Sequence, residues 1–206
     1  DSIIDELNIG WVVVGHDFCF GYKGEGKAEK LKIYCEERGI GCDIMPPVML
    51  DGRIVSSTYI RKLIADGDME KAARYLGHPH TLSDTVHSGY HIGRKLGTPT
   101  INMHFPDGVI IPRHGVYAAK VYLEGGESYV AVTNVGIRPT VANGNSVTVE
   151  SHLLDYSGNL YGRQARVEFY KFLRPEKKFS GFEELSAQIR CDAESAKEYF
   201  ESADKK

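Results

Sequence analysis

Four runs rich in Val, Tyr and Phe follow one another in the second half of the chain, and they limit the possible folds more than any other feature. They cover residues 115–123, 129–135, 146–154 and 165–172. Gly, Asn and Pro separate them, and glycine makes up 22 of the 206 residues, above the usual level of about 7%. Strands joined by tight turns with no helix between them predict an antiparallel barrel or sandwich.

The first part of the chain alternates between strand and helix patterns. A short apolar run at 11–14 is typical of a buried strand, and residues 26–38 have helical spacing that stops at Gly39. Further helices are expected after the hydroxyl residues 56–58 and after Asp68. This alternation predicts an α/β segment.

A helix is also predicted at the end of the chain. Apolar residues recur at helical spacing over 182–200, behind a candidate capping box formed by Ser180 and Glu183. Because the period of the pattern changes near Gly77, we expect two domains, at residues 1–76 and 77–206.

The charge balance excludes several classes of partner. The chain has 25 Lys and Arg against 28 Asp and Glu, a formal net charge of −3, so it has no excess positive charge for nucleic-acid phosphates or anionic lipid. No run approaches the roughly 18 apolar residues of a membrane span, and residues 1–6 are acidic where a secretory signal is basic. We therefore expect a cytoplasmic protein that binds neither nucleic acid nor membrane.

Cysteines and histidines give no metal motif by spacing. Histidines 78 and 80, and histidines 87 and 91, have no cysteine nearby and no H-E-x-x-H pattern, so we interpret them as loop histidines. The cysteines form no C-x-x-C pair and are interpreted as free thiols of a reducing compartment. They are Cys19, Cys35, Cys42 and Cys191.

A glycine-rich stretch is the first candidate for ligand binding. Gly89, Gly93 and Gly97 are spaced four apart, with Arg94 and Lys95 between them. Glycines let the backbone approach a ligand and present N–H groups to an anion. The stretch could cradle phosphates, although structural turns have the same composition, and it is neither a P-loop nor a G-x-G-x-x-G motif.

The next residues offer oxygen ligands. Pro99 favours an extended conformation at Thr98, and on an extended segment Thr100 and Asn102 point the same way. A hydroxyl and an amide oxygen on one face suit Mg²⁺ beside phosphate oxygens. The alternative is an ordinary turn with polar residues facing solvent.

Glu150 is the candidate base. Strand alternation places Val149 and Leu153 on one face, and Glu150 and His152 on the other. A carboxylate on a polar face can accept a proton from a hydroxyl nucleophile. The alternative is a solvated glutamate on a strand face.

Taken together, these segments strongly resemble the riboflavin kinases, from about residue 77 to the C-terminus. The order of the blocks is more specific than any one of them. They begin with Gly-Arg-x-Leu-Gly-x-Pro-Thr-x-Asn at 93–102 and continue with 115–118, 134–140, 149–155, 160–162 and 172–179.

The resemblance implies a six-stranded Greek-key barrel with a C-terminal helix. It implies transfer of the ATP γ-phosphoryl group to the 5′-hydroxyl of riboflavin, which gives FMN and ADP. Glu150 would deprotonate that hydroxyl, Thr100 and Asn102 would hold Mg²⁺, and the glycine-rich stretch would bind the nucleotide through Gly89, Gly93, Arg94, Lys95, Gly97, Thr98 and Thr100. Arg174 would belong to a flap over the flavin, or else pair with Glu176 or a neighbouring acid. The alternative to a kinase is a non-catalytic flavin- or nucleotide-binding module, which would need no base.

The resemblance also extends toward the N-terminus. Residues 14–21 and 55–61 are similar to the closing blocks of the Rossmann-like FMN adenylyltransferase module of bacterial bifunctional FAD synthetases. Ser57, Thr58 and Arg61 would bind phosphate at a helix start, although Ser57 and Thr58 also suit plain N-capping. The His-x-Gly-His signature of that module is not in this sequence, so we expect no adenylyl transfer from this chain alone.

Overall fold

The computed structural model describes residues 3–87, 100–140 and 144–203. The chain divides into two compact units, Asp1–Val55 and Ser56–Lys206. The compact units meet after Val55, whereas the sequence pattern places a domain boundary after residue 76. That domain boundary stays a prediction. Within the described ranges, no helix has both the length and the apolar character needed to cross a membrane.

The first unit is a small α/β structure. Parallel strands β1 (Trp11–Gly15) and β4 (Gly41–Met45) pair from Trp11 with Gly41 to Gly15 with Met45. The predicted helix is present as α2 (Ala28–Glu36), which ends two residues before the predicted end at residue 38. Strand β4 ends before the Pro46-Pro47 pair, since proline cannot donate to a ladder. The elements are α1 (Ile3–Glu6), β1 (Trp11–Gly15), β2 (Cys19–Phe20), β3 (Gly26–Lys27), α2 (Ala28–Glu36), β4 (Gly41–Met45), β5 (Met49–Leu50) and β6 (Arg53–Ile54).

The second unit begins with two capped helices. The Ser56 side chain accepts a hydrogen bond from the Tyr59 N–H at the start of α3 (Ser57–Asp66), and the Asp68 side chain accepts one from the Lys71 N–H at the start of α4 (Met69–Leu76). A strand-rich region and a long helix follow. The elements are α3 (Ser57–Asp66), α4 (Met69–Leu76), β7 (His80–Thr85), β8 (Thr100–His104), β9 (Gly115–Leu123), β10 (Ser128–Thr140), β11 (Gly144–Leu153), β12 (Gln164–Arg174) and α5 (Phe182–Ala203).

The six strands β7 to β12 form one antiparallel sheet in the order β7-β12-β9-β10-β11-β8. Strands β9, β10 and β11 are a meander, and β12 returns beside β9, which is the Greek-key arrangement. The two edges meet where His87, just after β7, pairs with Asn102 of β8, and the His87 N–H donates to the Asn102 carbonyl at 2.8 Å. The sheet thus closes on itself, and the predicted six-stranded Greek-key barrel is confirmed.

The barrel interior between β8, β9, β10 and β11 is filled by the odd-numbered side chains of these four strands. Met103, Val135 and Val149 are fully buried there. The buried Thr133 hydroxyl donates to Ser151 at 2.9 Å, so this polar pair is satisfied inside the core. Even-numbered residues of the same strands consequently face outward.

Helix α5 packs on the outer face of the barrel, as its apolar spacing predicts. Its Ala196 and Phe200 are buried with Val116 and Val132 of β9 and β10, and with Ala118. Burial of this stripe gives the helix its stability, because helices gain most from packing an amphipathic face.

The predicted capping box of α5 is wrong by one residue. The backbone N–H and the hydroxyl of Ser180 donate to Glu184, at 2.9 and 2.8 Å, and not to Glu183. The Lys177 ammonium, together with these bonds from Ser180, lowers the pKa of Glu184 to about 2. The Leu185 N–H donates to the Gly181 carbonyl at 3.2 Å, so the helix begins one residue later than predicted and the acid of its first turn that faces Ser180 is Glu184, which also pairs with Lys177 at 2.7 Å.

Candidate active site

Three polar residues lie side by side on the outer face of the barrel. Glu150 of β11 is directly opposite Asn102 of β8 on one side and Asn134 of β10 on the other. Directly opposed residues of antiparallel strands project from the same face, with Cβ atoms about 5 Å apart. We call Asn102, Glu150 and Asn134 the cross-strand row.

The row continues under helix α5. Asn134 is opposite Val116 of β9, which packs against α5, and Val116 is opposite Arg174 of β12. An irregularity of β12 between Phe172 and Arg174 sets this last pairing. The cross-strand row therefore lies beside the apolar contact that fixes α5.

Asn102 has the most unusual environment of the row. Its side chain is buried, with 7% exposed, and its Oδ1 has no hydrogen-bond partner among the described residues. Leaving a buried acceptor unsatisfied costs about 1–3 kcal/mol. Such an oxygen is suited to a ligand that supplies positive charge.

The structure places Thr100 on the same face as Asn102, two residues earlier in β8. Ile101 and Met103, which alternate with them, are buried in the barrel. Thr100 is directly opposite His152, so this hydroxyl and imidazole form the next rung beside Asn102 and Glu150. The roles of Thr100, Asn102 and Glu150 stay predictions, while their placement together is observed.

The sequence assigned no role to Asn134, and it named Glu176 only as an alternative ion-pair partner of Arg174. The Asn134 amide Nδ2 donates to Glu176 Oε1 at 3.3 Å. A Cβ atom added to Gly136 would lie 2.2 Å from the same oxygen, so glycine at this position leaves space for the carboxylate. A second acid is thus held next to the row. No spacing signal links residues 134 and 176, and only the fold brings them together.

Arg174 is held by helix α5. Its guanidinium contacts the Asp192 carboxylate at 2.7, 2.9 and 3.1 Å, and Gln188 donates to the same carboxylate at 3.0 Å. The sequence left open whether Arg174 covers the flavin or pairs with a neighbouring acid, and the pairing is with Asp192. A role toward flavin stays a prediction. Asp192 was missed because an acid within an apolar helical stripe has no distinguishing spacing.

Several predicted nucleotide-binding residues lie outside the described residues. They are Gly89, Gly93, Arg94, Lys95, Gly97 and Thr98. Their roles remain those that the family resemblance implies.

The predicted phosphate-binding group of the N-terminal segment lies at the start of α3. Ser57 and Thr58 are the first two residues of that helix, and Arg61 follows one turn later, all exposed. The side-chain cap comes from Ser56, so N-capping does not occupy Ser57 or Thr58. Phosphate binding by these residues stays a prediction.

Two protein families match the chain. The riboflavin kinase family matches residues 76–200, and the FAD synthetase family matches residues 1–59. The two matches cover the same parts of the chain as the two resemblances found in the sequence.

Individual relatives agree with these matches. Bifunctional riboflavin kinase/FMN adenylyltransferases from Listeria monocytogenes and Haemophilus influenzae are 34% and 37% identical over 97% and 98% of this chain. The chain spans 63% and 65% of their lengths.

A solved structure shares the fold. A protein from Streptococcus pneumoniae described as a macrolide-efflux protein has 31% sequence identity and a TM-score of 0.83, over 94% of this chain and 62% of its own. The family match over residues 76–200 includes every strand of the barrel and the cross-strand row. The chain therefore belongs to the riboflavin kinase family.

Proposed function

We propose that this chain transfers the γ-phosphoryl group of MgATP to the 5′-hydroxyl of riboflavin, giving FMN and ADP. The observation that carries the proposal is the cross-strand row, in which a carboxylate lies between two amides on the outer face of the sheet. Family membership supports the substrates. Phosphoryl transfer depends mainly on positioning and charge neutralisation, which such an arrangement can supply.

The residues of β8 fit Mg²⁺. The buried Asn102 Oδ1 lacks a partner among the described residues, and Mg²⁺ prefers hard oxygen ligands of this kind. Asn102 and Thr100 would hold the ion against the nucleotide. When bound, Mg²⁺ neutralises charge on the phosphate oxygens.

Glu150 would hold the flavin hydroxyl and accept its proton. It is half-buried in the middle of a sheet, so its backbone is fixed by strands on both sides. A base placed within hydrogen-bond reach of a hydroxyl typically contributes about 10²–10⁴-fold to the rate. The Asn134 amide donates a hydrogen bond to the second acid, Glu176. Asn134 would thereby keep Glu176 apart from Glu150.

FMN adenylyl transfer is the second activity in the relatives' names. The match of residues 1–59 to FAD synthetases supports a relationship with that module. The expectation that this chain alone does not adenylylate FMN stays a prediction. The cytoplasm as its compartment also stays a prediction.

The variant Glu150→Gln tests the proposal. It keeps the size and the planar end group of the side chain, but the neutral amide cannot accept the proton as a carboxylate does. We expect kcat for FMN formation to fall by about 10²-fold or more, while the Kd for riboflavin, measured by quenching of flavin fluorescence, changes little.

Glu127→Gln is the matched control, because Glu127 is exposed next to the turn between β9 and β10. This control should turn over like the parent chain. If Glu150→Gln keeps the parental kcat, Glu150 is not the base and the proposed use of the row is wrong.

A further inference from the structure

Two imidazoles and a carboxylate meet where the barrel closes. Asp84 lies near the end of β7, His87 follows that strand, and His104 is the last residue of β8. Their metal-ligating atoms all lie within 4.8 Å of one another. His104 is 20 residues from Asp84 and 17 from His87 in the sequence, so no short motif reveals the group.

The spacing of these atoms approaches that of a metal site. His87 Nε2 and Asp84 Oδ2 are hydrogen-bonded to each other at 3.1 Å, a contact that a metal ion would replace. With metal–ligand bonds of about 2.0–2.1 Å, two ligands of a tetrahedral Zn²⁺ ion are about 3.3 Å apart. One pair therefore already has the required separation. No separation exceeds 4.8 Å, so the widest pair would close by at most about 1.5 Å to reach the tetrahedral value, and an exposed histidine ring can rotate that far.

The carboxylate is fixed from behind. Asp84 Oδ1 accepts the Thr85 N–H at 2.8 Å, and Oδ2 accepts the His104 N–H at 2.9 Å. Hydrogen-bonded carboxylates are typical of metal ligands, because these bonds hold the oxygen in its coordinating position. The His87 and His104 rings are 4.8 Å apart in an edge-to-face arrangement, so both reach the same region.

The donor set indicates the class of ion. Imidazole suits Zn²⁺ and its neighbours among the transition metals, whereas Mg²⁺ prefers oxygen. We propose that Asp84, His87 and His104 bind a divalent transition-metal ion of the Zn²⁺ class, with a solvent-facing position left for water. Its donor set shares no residue with the oxygen ligands proposed for Mg²⁺, so this proposal does not rest on the proposed function.

The site would tie together the two edges of the barrel. The His87 N–H donates to the Asn102 carbonyl at 2.8 Å, and that pairing is the one that closes the sheet. An ion held by ligands from both edges binds the folded state alone and stabilises it by mass action. The melting temperature should therefore rise with metal concentration.

Cobalt titration of the full chain tests the site. Metal-stripped protein in excess Mg²⁺ is titrated with Co²⁺, and binding is followed by visible absorption and by the melting temperature. We expect one equivalent bound without the near-ultraviolet band of cobalt–thiolate ligation, and Zn²⁺ should displace the Co²⁺. His87→Ala and His104→Ala should each weaken binding by at least about tenfold and abolish the thermal shift.

His78→Ala is the control, because His78 is also exposed and its ring Nδ1 lies 2.8 Å from the neighbouring Pro79 carbonyl oxygen, outside the proposed site. Circular dichroism confirms that each variant is folded before titration. The proposal is overturned if the parent chain binds no Co²⁺, or if either His87→Ala or His104→Ala binds it as tightly as His78→Ala does.

Discussion

Asn102 combines two properties that proteins rarely keep together. Its side chain is buried, yet its amide oxygen accepts no hydrogen bond from the described residues. An unsatisfied buried acceptor lowers the free energy of unfolding by about 1–3 kcal/mol. Here the acceptor is directly opposite Glu150. Binding of an ion at this oxygen would offset that cost, which relates the residue to the proposed Mg²⁺ site.

Substitution of Asn102 should change the magnesium requirement of the reaction. We expect Asn102→Ala to raise the Mg²⁺ concentration for half-maximal FMN formation by about tenfold or more. Asn102→Asp keeps an oxygen ligand at the same position and should show a smaller increase. A magnesium titration of both variants measures this, and an unchanged requirement in Asn102→Ala would count against Asn102 as a ligand.

The positions of the strands along the chain could largely be predicted from the sequence, but the order in which they pair in the sheet could not. The run at 115–123 coincides with β9, and the run at 165–172 lies inside β12 (Gln164–Arg174). Period-2 alternation also indicates which face of a strand is buried. The pairing register of strands depends on contacts between segments that are distant in the sequence. The sequence therefore identified Glu150 as a candidate base and Asn102 as a candidate ligand, but it could not show that they are opposite each other. For the same reason it gave no role to Asn134.

A buried charged contact holds helix α5 on the barrel beside its apolar stripe. Asp192 is 5% exposed and holds Arg174 at the end of β12 through three contacts. Removing one partner of a buried pair leaves the other charge uncompensated. We expect Asp192→Ala to lower the free energy of unfolding by about 3 kcal/mol, as measured by urea denaturation followed by circular dichroism.

Glu194→Ala is the matched control on the same helix. Glu194 is exposed, and exposed substitutions usually change stability by less than about 0.5 kcal/mol. Equal effects of Asp192→Ala and Glu194→Ala would mean that the Arg174–Asp192 pair does not hold α5 in place.

The two compact units differ in how well they bury their sheets. In the first unit, Trp11, Val13 and Met45 are 62%, 60% and 54% exposed on a two-stranded sheet. In the second unit, Val121 and Val167 of the barrel are fully buried. Backbone hydrogen bonds that lack buried apolar contacts open more easily.

Hydrogen exchange of the full chain should reflect this difference. We expect amides of β1 and β4 to exchange faster than those of β9 and β12, as measured by mass spectrometry of peptides after timed labelling in heavy water. Equal protection of the two sheets would show that the exposed residues of the first unit do not weaken it.

The central claim concerns what the whole molecule does with its substrates. The full chain is incubated with riboflavin, ATP and Mg²⁺, and the flavins and nucleotides are then separated by chromatography. The account predicts that FMN and ADP accumulate in equal amounts and that neither forms when Mg²⁺ is chelated. Release of ADP without FMN, or no conversion of riboflavin at all, would contradict it.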